Sequence, residues 1–197
     1  MTTAQMLTNV RTLLDETVEG TWLDTEIYRA LSNGQIAIIN LLMAIYRIHN
    51  KLPSVLINLI VETTATTDTN GEVPLPADFL DFINAETSTG TPIYYIKEIE
   101  YFRESNTYLK SSTTNPTVRL KSNLEFSLIS TGITYSYIRQ PQDITSTITS
   151  YTEPELLPSA HPAIVLYAFS EMLKKIERVQ ESTINFKEFI QLIQKLI

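Results

Sequence analysis

The chain contains no cysteine, and only two histidines, one tryptophan and five glycines among 197 residues. The missing cysteine excludes disulfides, thiol nucleophiles and thiolate metal sites. It fits assembly in a reducing cytoplasm without requiring it. Five glycines leave little with which to build a phosphate cradle, and none of G-x-S-x-G, G-x-x-x-x-G-K-S/T or G-x-G-x-x-G occurs. His49 stands near Arg47 and Lys51, and His161 precedes Pro162. Neither has a neighbouring His, Asp or Glu at metal-ligand spacing, so each reads as a helix-end or capping residue. No metal and no cofactor is expected.

Positive charge is also scarce. Fifteen Lys and Arg stand against 22 Asp and Glu, giving a net charge of -7. Attraction of the whole chain to a nucleic acid backbone is therefore not expected. Acidity of this kind serves solubility, or suits a surface to which passing DNA must not adhere. The longest apolar stretch, IAIINLLMAIYRI, is interrupted by Asn40 and Arg47. It falls short of the ~20 residues of a membrane span. The start, MTTAQMLTNV, has no basic segment leading into an apolar run, so neither a signal peptide nor a membrane partner is expected.

What is present is an ordinary globular composition, 43% hydrophobic and 19% charged. Residues 2–15 predict a first helix, with Thr2 and Gln5 as a capping box and Met6, Val10, Leu13 and Leu14 at helical spacing. A second helix is expected from near Trp22, with Thr21 or Asp24 as its cap and Asp24 and Glu26 in its first turn. Its apolar face runs through Ile27, Ala30, Leu31, Gly34, Ile38, Leu41, Leu42 and Ile45. Asn33-Gly34, a common hairpin dipeptide, does not break that phase, and neither flank alternates as strands do. The stretch therefore reads as helix. A mid-helix glycine costs about 1 kcal/mol relative to alanine. Its place on the apolar face predicts close approach of another backbone.

Beyond Pro53 the texture turns to Thr, Ser, Tyr and Ile, a strand composition. Residues 58–140 predict an antiparallel β insertion of four to six strands. Asn70-Gly71 is expected to be a hairpin turn, KEIEYFRES a short helix, and Gly132 a turn between the last two strands. Residues 141–160 read as an exposed connector. His161-Pro162 fits N-cap and N1 of a returning helix. EST at 181–183 is a candidate interruption, and a final stripe includes Phe186, Phe189, Ile190, Ile193 and Ile197. The expected fold is α+β, mainly α. Helices from 1–57 and 161–197 would form one bundle carrying the insertion.

Two constellations invite chemical readings. Carboxylates cluster at Asp15, Glu16, Glu19, Asp24 and Glu26. A paired-carboxylate hydrolase is conceivable there, but a solvated helix end fits better because nothing apolar surrounds them to raise a pKa. Tyr94, Tyr95, Tyr101, Tyr108, Tyr135 and Tyr137 interleave with Lys97, Arg103, Arg119, Lys121 and Arg139. Base stacking is one reading. Tyrosine suited to half-buried strands is the better one, given Glu98, Glu100 and Glu104 among the basic residues.

The segment MTTAQMLTNVRTLLDE…GTWLDTEIYRALSNGQIAI resembles the N-terminus of tailed-bacteriophage head-to-tail connector proteins, also called adaptor or head-completion proteins. Their pattern is a short helix, a Trp, an acidic helix start and a long helix with Leu-Asn-x-Gly-Gln. Trp22, Asp24, Glu26, Leu31, Asn33, Gly34, Gln35 and Ile38 match it, although Asn33 touches Gly34 directly. Leu23 stands where the family often has a Ser or Thr cap. EVPLPADFLDFINAE, with Pro76, Asp78 and Phe79, resembles the strand and turn that open the family's β insertion. HPAIVLYAFSEMLKK resembles the start of its C-terminal helix. No likeness covers about 93–148.

The resemblance implies a virion structural protein with no catalytic residues. It would form a ring of copies of itself, usually twelve, docked beneath the portal protein. It would contact the downstream tail or a second connector, and line a channel for DNA without reading its sequence. Its place would be the virion neck, after assembly in the host cytoplasm. Phe186, Phe189, Ile190, Ile193 and Ile197 are the candidate interface. The alternative is a β-type glycan- or peptide-binding module on a helical scaffold.

Overall fold

A computed structural model describes residues 1–16, 20–49, 51–96, 112, 114–145 and 154–196. The chain divides into two compact units, one of Met1–Leu59 with Pro141–Ile197 and one of Ile60–Gln140. The helix predicted at KEIEYFRES lies outside the described residues.

In the first unit, α1 spans Thr3–Leu13 and α2 Asp24–His49. A 3-10 turn covers Ser54–Leu59, and α3 (His161–Lys175) and α4 (Val179–Gln194) complete it. The capping box at α1 is formed. The Gln5 N–H donates to Thr2 Oγ1 at 3.2 Å, and the Thr2 N–H donates to Gln5 Oε1 at 2.9 Å. Helix α2 runs through Asn33-Gly34 without a break. Its buried positions Ile27, Leu31, Gly34, Ile38 and Leu42 repeat at steps of three and four. By length and hydropathy α2 could cross a membrane, but 44% of that apolar window is buried inside the protein. Packing against α3 uses much of the same face.

Two helix ends replace glycine with an acidic residue. Asp15 (φ 60°) follows α1, and Glu177 (φ 63°) follows α3. The Glu16 N–H donates to Arg11 O, and the Arg178 N–H to Leu173 O, the long bonds of a Schellman motif. The break between α3 and α4 therefore falls at Ile176–Arg178. The expected interruption at residues 181–183 is instead helix. Likewise α3 begins at His161, with Ala160 rather than His161 at the N-cap.

The second unit corrects the expectation of a mainly α helical bundle carrying an antiparallel insertion. Its strands are β1 (Ile60–Thr66), β2 (Glu72–Pro74), β3 (Phe79–Thr87), β4 (Pro92–Tyr95), β5 (Thr117–Leu120), β6 (Asn123–Phe126) and β7 (Gly132–Arg139). They form a seven-stranded sheet in the order β1-β7-β3-β4-β5-β6-β2. The sheet is mixed, because β4 and β5 run parallel. Parallel neighbours need a long crossover, and residues 96–116 separate these two. Strands of three or four residues are too short to show a period-two pattern in sequence, and a crossover has no local signature.

The same order corrects the hairpin at Asn70-Gly71. The turn exists, with Gly71 at φ 81° and its N–H donating to Asp68 O. Yet β1 pairs with β7 and β2 with β6, at opposite edges of the sheet. Laid flat, seven strands would hold those edges roughly 29 Å apart at about 4.8 Å per strand. The tight turn, with the Asp68 N–H donating to Glu72 O at 3.1 Å, brings them together. The sheet must therefore curl into a nearly closed barrel. Inside it lie Phe82, Val118, Leu124, Phe126, Ile133, Tyr135 and Tyr137. Gly132 is the first residue of β7, and Ser130 (φ 49°) makes the turn before it.

Candidate functional site

The motif residues at the start of α2 converge on two cations. Arg11, in the last turn of α1, is buried with its side chain 7% exposed. Its Nη2 donates to Trp22 O at 2.9 Å, its Nε to Asp24 Oδ1 at 3.0 Å, and its Nη1 to Glu16 Oε2 at 3.3 Å. Glu16 also accepts the Thr21 N–H at 3.0 Å. Lys175, at the end of α3, lies 5.4 Å from the centre of the buried Trp22 ring and 3.5 Å from Glu26 Oε1. Glu26 also accepts the Leu23 N–H at 3.3 Å, half of a capping box whose other half Leu23 cannot supply. The carboxylates expected to be a solvated helix end are thus partly counter-ions. Glu16 and Asp24 close a corner between α1 and α2. Among the described residues no group of three or more His, Cys, Asp or Glu could hold a metal ion.

Further along α2 the matched residues separate by face. Leu31 and Ile38 are buried in the core. Gly34 faces α3, where a Cβ would stand 3.1 Å from Ile164 O and 3.2 Å from Tyr167 Cδ1. Close approach of a backbone at this glycine is thus observed, and the backbone is the chain's own. Asn33 is exposed. Gln35 is buried, and its Nε2 donates to Gln142 O at 3.1 Å. Ser32 Oγ accepts the Ile144 N–H at 2.8 Å and donates to Ile144 O at 3.3 Å. Residues 141–145 are therefore strapped to α2, and Ile144, Glu155 and Leu156 are buried. The exposed connector expected at 141–160 is corrected in part, at these described residues; 146–153 lie outside the described residues. His161, at the foot of α3, is also buried, with Nε2 2.9 Å from Leu156 O and Nδ1 2.7 Å from the Met1 nitrogen.

In the β unit, Pro76 O accepts the Phe79 N–H at 3.0 Å, closing the turn that ends at Phe79. Asp78 Oδ1 accepts the Tyr137 hydroxyl at 3.0 Å, and Phe79 stacks on the Tyr137 ring at 5.6 Å. Burial, followed by that hydrogen bond and the Asp78 charge, pushes the Tyr137 phenol above its ordinary value. Burial, followed by Asp78, does the same to Tyr135. Both tyrosines are core residues and cannot line a glycan-binding or base-stacking surface. Tyr94 is exposed, while Tyr101 and Tyr108 lie outside the described residues.

Of the candidate interface residues, Phe189 and Ile193 are buried against the chain itself, and Ile190 is half-buried. Phe186 is exposed, and Ile197 lies outside the described residues. Phe186 joins Tyr167 and Phe189 in an aromatic cluster with centroids 5.3 to 6.3 Å apart. Exposed apolar side chains gather beside it in sequence at Ile176, Val179 and Ile184.

A family model of SU10 adaptor proteins matches residues 1–195. The chain belongs to the SU10 adaptor protein family. No curated protein sequence matches it. Membership agrees with the connector resemblance and makes this a structural adaptor of a phage, a virion component that contacts other virion components. For this SU10 adaptor the sequence motif named the acidic and aromatic residues but missed Arg11 and Lys175. The available signal was the uncompensated run of carboxylates from Asp15 to Glu26, which calls for a nearby cation once any of it is buried.

Proposed function

We propose that this SU10 adaptor forms a ring of its own copies, with twelve as the expected number, between the portal and the tail of the virion. It lines the DNA channel and performs no catalysis. The observation that carries this reading is the family match over nearly the whole chain. The exposed Ile176, Val179, Ile184 and Phe186 of the helical unit support it, as apolar surface that a neighbour would cover. The net charge of -7 suits a channel that DNA must traverse without adhering. Glu16 and Asp24, two of the five clustered carboxylates, serve as counter-ions of Arg11.

The test is to mix purified protein with portal protein and weigh the complex by native mass spectrometry. A ring-sized mass increment on the portal is expected. A protein that stays monomeric and ignores portal at high concentration would overturn the reading.

A further inference from the structure

Thr25, Tyr28, Arg29, Ser32 and Asn33 fall at i, i+3, i+4, i+7 and i+8 of α2 and so share one helical face. Asp143, Ile144 and Thr145 of the strap face them across a cleft of about 320 Å³. The cleft is preformed, because Ser32 grips both backbone groups of Ile144. Its volume is at the lower end for ligand pockets and suits a short stretch of chain.

The chemistry of the walls is specific. Arg29 on the helix and Asp143 on the strap carry opposite charges. Among the described residues, neither has an ion-pair or hydrogen-bond partner, and the Asn33 amide likewise has none. A cation, an anion and an amide held apart on a fixed frame match a polypeptide backbone with one acidic side chain. Arg29 can take a carboxylate in its planar fork. Asn33 can pair with a peptide group, and Asp143 can accept a backbone N–H. A nucleic acid strand fits poorly, since a single cation faces a carboxylate in a chain of net charge -7.

We propose that this cleft is a docking slot for an extended, carboxylate-bearing segment of a partner polypeptide, anchored by Arg29. The proposal rests on the adaptor reading for the existence of such a partner, and adds where and by what chemistry one is held.

The test uses the full chain and two capped pentapeptides, Ala-Ala-Glu-Ala-Ala and its Gln counterpart, followed by NMR at the Arg29 and Asn33 side-chain N–H groups. The Glu peptide is expected to shift both groups, to bind about tenfold more tightly than the Gln peptide, and to weaken as salt is raised. Arg29→Gln should abolish that preference while keeping the wild-type circular dichroism spectrum and melting temperature, because Arg29 is exposed. Equal binding of the two peptides, no shift at Arg29, or an unaltered preference in Arg29→Gln would overturn the proposal. So would an oligothymidylate that shifts the same groups more strongly than the Glu peptide. Portal binding by wild type, measured in parallel, separates the two ideas. If portal binds while the peptides fail, the slot is wrong and the adaptor reading stands.

Discussion

Gly34 and Ile164 meet where α2 crosses α3, and the Ile164 carbonyl oxygen would lie 3.1 Å from a Cβ placed on Gly34. That contact is tighter than side chains normally make, and a helical backbone carbonyl cannot swing aside by itself. Gly34→Ala gains about 1 kcal/mol of helix propensity and loses a similar amount to crowding. A net change below about 1 kcal/mol is expected. Gly34→Leu must displace both Ile164 and Tyr167, and should destabilise by roughly 2–4 kcal/mol. Urea unfolding of the three proteins checks this. Equal midpoints for wild type and the Leu variant would show that the helices part more easily than the packing implies.

Arg11 should be the most sensitive charged residue of the helical unit. Arg11→Met leaves Glu16 without its cation and the Trp22 carbonyl without a donor, while Asp24 is partly exposed and can rehydrate. A loss of about 2–3 kcal/mol is expected. Arg11→Lys should restore less than half, because one ammonium cannot reach three acceptors in the plane of a guanidinium. Full rescue by lysine in thermal melts would mean that charge alone matters at this corner.

These two sites show what the amino-acid order makes legible. The period of α2 identified a helix through Asn33-Gly34, and the position of Gly34 on the apolar face pointed to a close backbone. Both follow from local spacing. Arg11 was not legible, because its partners lie up to thirteen residues away across a turn whose path the sequence does not specify. The barrel was the largest miss. Pairing of β1 with β7, and the parallel β4–β5 contact, join segments far apart in the chain, and strands as short as Glu72–Pro74 carry no usable period. The stripe proposed as an interface is partly covered by the chain itself, which was not legible for another reason. Phe189 and Ile193 share helical spacing with Phe186, but spacing cannot say whether a stripe is covered by the chain itself.

Leu23 precedes α2 at its N-cap position and is 53% exposed. Its side chain offers nothing to the free N–H groups of the first turn, while Glu26 already supplies the return bond. Leu23→Ser or Leu23→Thr should complete the box and stabilise by about 0.5–1 kcal/mol. A lower melting temperature in both variants would indicate that Leu23 covers apolar surface in the free protein.

The scarcity of glycine makes two positions informative in opposite directions. Glu177 adopts φ 63° at the end of α3, a conformation glycine enters without strain. Glu177→Gly should raise stability by about 0.5–1 kcal/mol. Gly71 is at φ 81°, and a Cβ there would stand 2.3 Å from Phe126 O, in the turn that closes the barrel. Gly71→Ala should cost roughly 2–4 kcal/mol, from strain and from moving β6 backbone. Chemical denaturation followed by tyrosine fluorescence reads both changes.

Alkaline pH should act on the barrel core. Burial, then the hydrogen bond to Asp78 and the Asp78 charge, holds the Tyr137 phenol above the ordinary value of 10.0, and Tyr135 is raised by burial and Asp78. The folded protein thus keeps these protons more tightly than the unfolded chain does. Their contribution is fully present below about pH 10, the unfolded value, and is lost as pH rises through the higher folded values. The melting temperature should therefore be insensitive to tyrosine ionisation near neutrality and should fall steeply above about pH 10. Tyr137→Phe removes one of the two groups together with its bond to Asp78. It should lower stability by about 1 kcal/mol at neutral pH and flatten the alkaline fall. Melting curves across the alkaline range, with phenolate absorbance recorded in parallel, make the comparison. If the Phe variant falls as steeply as wild type, the alkaline transition belongs to other groups, such as Tyr28 and Tyr167, whose phenols are also raised by burial.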